Sequence, residues 1–233
     1  MATLLHPKKT LLFALSLVAS GAMALSLANL SNLSNQDTGN GLKSALEKGS
    51  VAAVGKLGVE NGFLNNEQVK IPLPALLEKV RPVLKMTGRG QQLDDLVVSM
   101  NRAAEAAVPM ARPLLINAVK SMTFTDAKQI LTGGETSVTN FFREKTSAEL
   151  AVKFLPIVKT VTDRSGLAGK YNAVVGQVPK LGVGQQAPTV ESYVTGRALE
   201  GLYKMIEVEE KSIRRDPFGS GVAIIGKVFG ALR

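Results

Sequence analysis

The chain has 233 residues, no cysteine, no tryptophan, one histidine and a formal net charge of +9. Without cysteine there can be no disulfide, no iron–sulfur cluster and no lipid anchor on a leading cysteine. His6 lies in a segment read below as a leader; once that is removed, zinc sites built on His and Cys, His-held haem, and Ser-His-Asp or Cys-His catalysis are excluded.

The N-terminus runs Met1-Ala2-Thr3-Leu4-Leu5-His6-Pro7-Lys8-Lys9, then an uninterrupted apolar stretch, residues 10–19, then Ala22-Met23-Ala24. A positive start, an apolar run and a small-residue exit predict a secretory signal peptide, residues 1–24. The alternative, a retained membrane anchor, needs ~20 apolar residues, more than the run supplies. Cleavage after Ala24 is preferred to cleavage after Ala28. Removal of Lys8 and Lys9 takes away two charges and leaves +7. The remaining charges are dispersed and aromatics are few, so a solvated basic surface is expected in place of a nucleic-acid interface. No later run reads as a bilayer span, so no transmembrane helix is expected in the mature chain, which would be periplasmic and not a lipoprotein.

Residues 25–37, in an Asn/Ser-rich stretch, read as a flexible arm, and residues 38–233 as one helical domain. From Gly41, the spacing of Leu42, Ala45, Leu46, Val51, Val54, Leu57 and Val59 predicts a first helix, broken near Gly49 and Gly55 and ending around Asn61-Gly62. Asn65-Asn66-Glu67-Gln68 is a turn, and Lys70-Ile71-Pro72-Leu73-Pro74 is extended because proline disfavours helix in the residue before it. Pro74 opens a helix over residues 75–86, bent by Pro82 and closed by Thr87-Gly88-Arg89-Gly90. Residues 90–122 form the central helix. Leu93, Leu96, Val97, Met100, Ala104, Ala107, Val108, Ala111, Leu114, Leu115 and Ala118 fall on a stripe about 120° wide, and Ala103, Ala106 and Met110 form a second, smaller apolar face. Pro109 and Pro113 should kink or split this helix near residues 105–109.

Thr123 and Asp126 form a capping box for a short helix through Leu131, ended by Gly133-Gly134. A second short helix is expected over residues 137–145. A second capping box, Thr146 to Glu149, then opens a separate helix over residues 150–162 with Pro156 inside. Residues 166–184 are glycine-rich, with a short helix around residues 171–178, and residues 185–188 are a loop. Thr189 caps a long helix, residues 190–215, stopped by Asp216-Pro217. Residues 218–232 are a last apolar segment. No stretch alternates with a two-residue period, so the fold class is all-α: a single domain of about seven to nine helices, several kinked by proline.

Three polar groups, Asn101, Arg102 and Glu105, stand among the alanines of the central helix. On the 190–215 helix the apolar residues Val194, Ala198, Leu202, Met205, Ile206 and Ile213 centre on a direction close to Glu209. A carboxylate pointing into a core must be paired, hydrogen-bonded or neutralised, and the candidates are Arg102, Asn101, Arg197 and Arg214. Glu210 and Arg214, four apart, read as a local helical pair. Asn101, Arg102, Glu105, Glu209 and Arg214 are therefore a candidate polar lock between the two long helices, or an internal site. Glu105 and Glu209 are a conceivable metal pair, but di-iron bundles join such glutamates to Glu-x-x-His motifs, which are absent here. Glu105 or Glu209 acting in glycan cleavage is an alternative, as in all-helical muramidase-type enzymes, against which stands the lack of Trp and of an aromatic groove. The glycine pairs at 133–134 and 182–184 lack the Lys and Ser/Thr of a phosphate loop. No catalytic, cofactor or metal residue is assigned.

Several pieces of the chain match a known pattern: Asn61-Gly62-Phe63 with Val69-Lys70-Ile71-Pro72-Leu73-Pro74; Met100-Asn101-Arg102-Ala103-Ala104-Glu105; Asp126-Ala127 with Ile130-Leu131 and Gly133; Tyr193-Val194-Thr195 with Ala198-Leu199 and Gly201-Leu202; Glu209-Glu210 with Ile213-Arg214 and Asp216-Pro217; and Val228-Phe229-Gly230. In these the sequence resembles the bacterial family catalogued as domain of unknown function 4197. The resemblance implies an exported helical domain of Gram-negative-type bacteria and no activity. The expected function is a non-enzymatic binding or structural protein of the cell envelope. Its helix faces and residues 218–232 would meet an envelope protein or an apolar ligand. A carboxylate-based envelope enzyme and a peripheral membrane binder with a basic amphipathic face are the alternatives.

Overall fold

The computed structural model describes residues 35–175, 189–217 and 219. Among these every regular element is helical: α1 (Asn35–Leu57), α2 (Ala75–Met86), α3 (Gly90–Ala107), a 3₁₀ turn (Val108–Met110), α4 (Ala111–Lys120), α5 (Phe124–Thr132), α6 (Ser137–Arg164), α7 (Leu167–Val175) and α8 (Val190–Arg215). The leader, the 185–188 loop and the 218–232 segment apart from Gly219 lie outside the described residues. No helix among the described residues is long and apolar enough to cross a membrane.

Helix α1 starts at Asn35, inside the stretch read as an arm, and runs unbroken through Gly49 and Gly55. Each interior glycine costs roughly 0.5–1 kcal/mol against alanine. The burial of Leu42, Ala45, Leu46, Ala53, Val54 and Leu57 outweighs that cost. The expected end at Asn61-Gly62 comes earlier, at Leu57, and turns follow over residues 59–65. Residues 70–74 are extended as expected, and the N–H of Leu77 donates to the Pro74 carbonyl at 2.8 Å to open α2. Helix α2 closes on Gly88 at φ 77°, with Arg89 N–H returning to the Leu84 carbonyl at 2.9 Å.

The central run splits where proline removes a donor: α3 ends at Ala107, Pro109 sits in the 3₁₀ turn, and α4 resumes at Ala111. Its apolar stripe is buried apart from Val97, which is half-buried. The second apolar face is not a core face. Ala103 is buried, but Ala106 and Met110 are exposed.

The short helix and the separate 150–162 helix are one element. Helix α6 runs 28 residues from Ser137 to Arg164, and the expected capping box at Thr146 does not exist. Thr146 is buried; its hydroxyl lies 2.6 Å from the Phe142 carbonyl, as an interior threonine's does, and 2.9 Å from the Tyr203 hydroxyl. Val138, Phe142, Thr146, Leu150, Phe154, Val158 and Thr162, each four residues on, are all buried, and this ridge carries the helix past Pro156. Helix α8 bears a matching ridge, Val194, Ala198, Leu202, Ile206 and Glu210. The two ridges pack antiparallel, as the pairs Thr146–Tyr203 and Val138–Glu210 require. Helices α1 and α3 complete the core around α6 and α8.

Candidate functional site

The polar groups of α3 and α8 occupy two separate places. At the first, α3 grips the irregular segment that links α1 to α2. The Glu105 carboxylate, 5 % exposed as a residue, accepts from the main-chain N–H groups of Phe63 at 3.0 Å and Leu64 at 3.1 Å. Its second oxygen accepts from Arg102 at 2.6 Å. Arg102 reaches on to Asn61 Oδ1 at 2.9 Å and Glu60 at 3.2 Å. Asn61 itself holds φ 68°, a conformation asparagine tolerates better than most residues. One turn earlier, fully buried Asn101 meets Ile71 as a neighbouring strand would. Its Oδ1 accepts from Ile71 N–H at 2.8 Å, and its Nδ2 donates to the carbonyls of Ile71 at 2.9 Å and Val97 at 2.8 Å. Phe63, Ile71 and Leu73 are thereby set into the core.

At the second place, the buried carboxylate of α8 belongs to Glu210, not to Glu209. Its oxygens accept from Val138 N–H and Thr139 N–H, each at 3.0 Å, and from the Thr139 hydroxyl at 2.9 Å. The first turn of α6, which lacks a side-chain cap of its own, is thus capped by another helix, with a negative charge at its positive end. Arg214 donates to Glu210 at 3.1 Å, to Ser137 Oγ at 2.7 Å and to the Ile130 carbonyl at 3.1 Å, so it fastens the end of α5 as well.

Glu209 lies partly covered at the seam between α8 and α1. Its side chain is 14 % exposed and pairs with Lys56 of α1 at 2.6 Å, not with Asn101, Arg102, Arg197 or Arg214. The five expected lock residues therefore do not form one lock. Asn101, Arg102 and Glu105 hold the 60–71 segment, Arg214 holds the α5–α6 junction with Glu210, and Glu209 ties α8 to α1. Every oxygen of the two buried carboxylates, Glu105 and Glu210, accepts from a main-chain N–H, a hydroxyl or a guanidinium, so both act as anchors between chain segments. Among the described residues, no three His, Cys, Asp or Glu side chains converge as metal ligands would.

A cleft of about 250 Å³ adjoins Glu209, between Lys48, Ala52, Ser212 and Asp216, and two others lie on either side of the extended segment 70–74. One of these two, of about 420 Å³, is bounded by Leu64, Glu67, Glu78, Arg81, Asp94 and Val97. Of its two cations, Lys70 borders the second cleft as well, and Arg81 is committed, bonding Asp94 at 2.8 Å and Glu78 at 3.1 Å. The other cleft, of about 300 Å³, lies between residues 68–72 and the exposed flanks of α6 and α8. Lys70, Arg143, Arg197 and Lys204 line it with Glu200 and Glu207. Arg197 bonds Glu200 at 2.8 Å and Lys204 bonds Glu207 at 3.2 Å, while Lys211 takes the same Glu207 oxygen at 2.7 Å. These lysines hold the Glu207 carboxyl below its ordinary range, the Lys211 hydrogen bond foremost. The Arg143 guanidinium lies 4.7 Å from the centre of the Tyr203 ring. No carboxylate among the described residues pairs with Arg143 or Lys70. Gly201 forms part of the cleft lining for steric reasons: a Cβ there would come within 2.6 Å of the Phe63 ring. Of the cleft's cations the sequence singled out Arg197 alone, and as a partner for Glu209, because their convergence depends on the α6–α8 register and on where the 66–72 loop lies.

A family match covers residues 32–230, nearly the whole chain, and bears the description Protein of unknown function (DUF4197). The chain belongs to this family. No curated protein matches it, and no solved structure does. The DUF4197 description carries no activity. The pieces that carried the resemblance now have physical roles: Asn61, Phe63, Ile71 and Asn101 to Glu105 build the first junction, and Ile130, Glu210 and Arg214 build the second.

Proposed function

We propose that this DUF4197 protein is an exported, non-enzymatic binding protein of the cell envelope, which takes a polar ligand in the cleft between residues 68–72 and helices α6 and α8. The observation that carries this reading is the contrast between its polar groups. The buried carboxylates Glu105 and Glu210 are saturated by main-chain donors, whereas the cleft keeps two cations, Lys70 and Arg143, without an anionic partner among the described residues. Export rests on Lys8-Lys9, the apolar residues 10–19 and Ala22-Met23-Ala24. The glycan-cleaving alternative is weakened because Glu105 has no free oxygen and Glu209 is held by Lys56.

The test is expression with the natural leader in a Gram-negative host. Osmotic shock should release a protein that begins at Leu25. Native mass spectrometry of that fraction should find a small molecule bound at one per chain. Retention in the cytoplasm with the leader intact would refute the export half. Sugar release from purified peptidoglycan, abolished by Glu209→Gln, would refute the non-enzymatic half.

A further inference from the structure

We infer that this cleft is a site for a dianionic oxyanion of the phosphate class, read by Arg143 and Lys70 from opposite walls. The assignment rests on the binding reading above and names the ligand chemistry of the same cleft. Four cations face two carboxylates there, an excess of two positive charges. A phosphate monoester carries about −1.5 to −2 at neutral pH and would balance that excess. A single carboxylate would leave about one positive charge unmatched.

The placement of Arg143 favours the same class. Tyr203, beneath it, is buried and its hydroxyl is tied to Thr146 within the core. The guanidinium is therefore laid against a fixed ring before any ligand arrives, which lowers the ordering cost of binding. A planar fork presented in this way matches two oxygens of a tetrahedral oxyanion. Lys70, from the other wall, adds a flexible point charge. Glu200 and Glu207 oppose an anion, yet each is already engaged, Glu200 by Arg197 and Glu207 by two lysines. The same chemistry occurs in free phosphate, in a phosphorylated small molecule and in a phosphomonoester lipid headgroup.

The full-length mature protein is titrated with inorganic phosphate by calorimetry at low ionic strength, with chloride at matched ionic strength as reference. Binding of one phosphate per chain is expected, weakened about tenfold or more by Arg143→Gln and by Lys70→Gln. Glu200→Gln should tighten it. Circular dichroism melts confirm that each variant is folded. A parallel arm sediments the protein with phosphatidylcholine vesicles with and without phosphatidic acid. Capture by the phosphatidic acid vesicles alone identifies a lipid source, and binding of free phosphate without capture identifies a soluble one. If the folded wild type binds phosphate no better than chloride, the assignment is overturned. It is equally overturned if phosphate binds with unchanged affinity in both variants. Should phosphate fail while native mass spectrometry still finds a stoichiometric ligand, the oxyanion assignment falls and the binding reading stands.

Discussion

Replacing Glu210 tests whether helix α6 is capped from helix α8. In Glu210→Ala the main-chain N–H groups of Val138 and Thr139 lose their acceptor, and Arg214 loses its buried carboxylate while keeping Ser137 and the Ile130 carbonyl. Each stranded buried donor costs about 1–3 kcal/mol, and loss of one partner of a buried pair about 3–5 kcal/mol in all. These overlap, so the expected loss is about 3–5 kcal/mol. In Glu210→Gln the amide still offers one oxygen, but its NH₂ faces a donor. One N–H is stranded and the loss should be about 1–3 kcal/mol. Glu209→Gln is the control on the adjacent residue. It breaks a pair with Lys56, whose side chain is 57 % exposed, and should cost at most about 1 kcal/mol. The assay is urea unfolding followed by far-ultraviolet circular dichroism, with the midpoint read at constant slope. Hydrogen exchange at the Val138 and Thr139 amides should accelerate in Glu210→Ala and not in Glu209→Gln. Equal costs for the two glutamine variants would show that the cap in trans contributes nothing.

Two glycines on α8 should respond in opposite senses to alanine. Gly196 has nothing within 4 Å of a built Cβ, so Gly196→Ala should stabilise by about 0.5–1 kcal/mol, whereas at Gly201 the new methyl meets the Phe63 ring at 2.6 Å and Val69 Cβ at 3.3 Å, and overpacking should cost about 1–3 kcal/mol. Thermal melts of the pair decide this, and a stabilised Gly201→Ala would refute the close packing. Asn101→Asp removes the donor to the Ile71 and Val97 carbonyls and puts a charge at a fully buried position, so urea unfolding should show a loss of several kcal/mol at neutral pH that shrinks as the carboxylate is protonated. All three tyrosines of the chain are raised by burial, Tyr171 to about 12 and Tyr193 and Tyr203 in the same direction. A raised phenol gives stability that is full below its unfolded value of about 10 and lost as pH rises through its folded value. Phenolate absorbance should therefore appear together with loss of helix between about pH 10 and 12, and three phenols titrating near pH 10 with the helix content intact would contradict their burial.

Much of the fold was legible because its helix ends carry local chemistry. Thr123 with Asp126, Pro74 before Ala75, and Thr189 before Val190 act within three or four residues of their own position, and each helix starts where they place it. The split of the central run at Pro109 was legible for the same reason. What misled was local chemistry overridden by tertiary packing. Thr146-Ser147-Ala148-Glu149 has the letters of a capping box, but Tyr203 from another helix takes the hydroxyl, and the buried ridge continues on both sides. The glycines of α1 read as breaks for the same reason. Asn101, Arg102 and Glu105 were visible as polar residues on a buried helix, but their partners are main-chain groups at Phe63, Leu64 and Ile71, and no side-chain pattern announces those.

The one-residue error at Glu209 follows from the geometry of the ridge. Glu209 lies within about 10° of the mean direction of Val194, Ala198, Leu202, Met205 and Ile206 whether or not the half-buried Ile213 is counted, but a ridge of four-residue steps turns about 40° at each step and does not keep to that mean. The ridge that packs against α6 steps by four: Val194, Ala198, Leu202, Ile206, then Glu210, with Arg214 next. A carboxylate at the end of that ridge arrives where the packed partner helix begins, and there the partner presents unpaired N–H groups. Glu105 meets main-chain N–H groups in the same way, beyond Asn101 on α3, where the turns at residues 59–65 cross over it. In both cases an acidic group at the edge of an apolar face marks the place where a neighbouring segment ends or starts, and its partners are peptide N–H groups that only the assembled fold brings to it. Acidic groups on this chain's core faces are therefore accounted for by helix and turn termini. Within the cleft between residues 68–72 and helices α6 and α8, the cations that no carboxylate among the described residues claims are Lys70 and Arg143, and the proposed site rests on them.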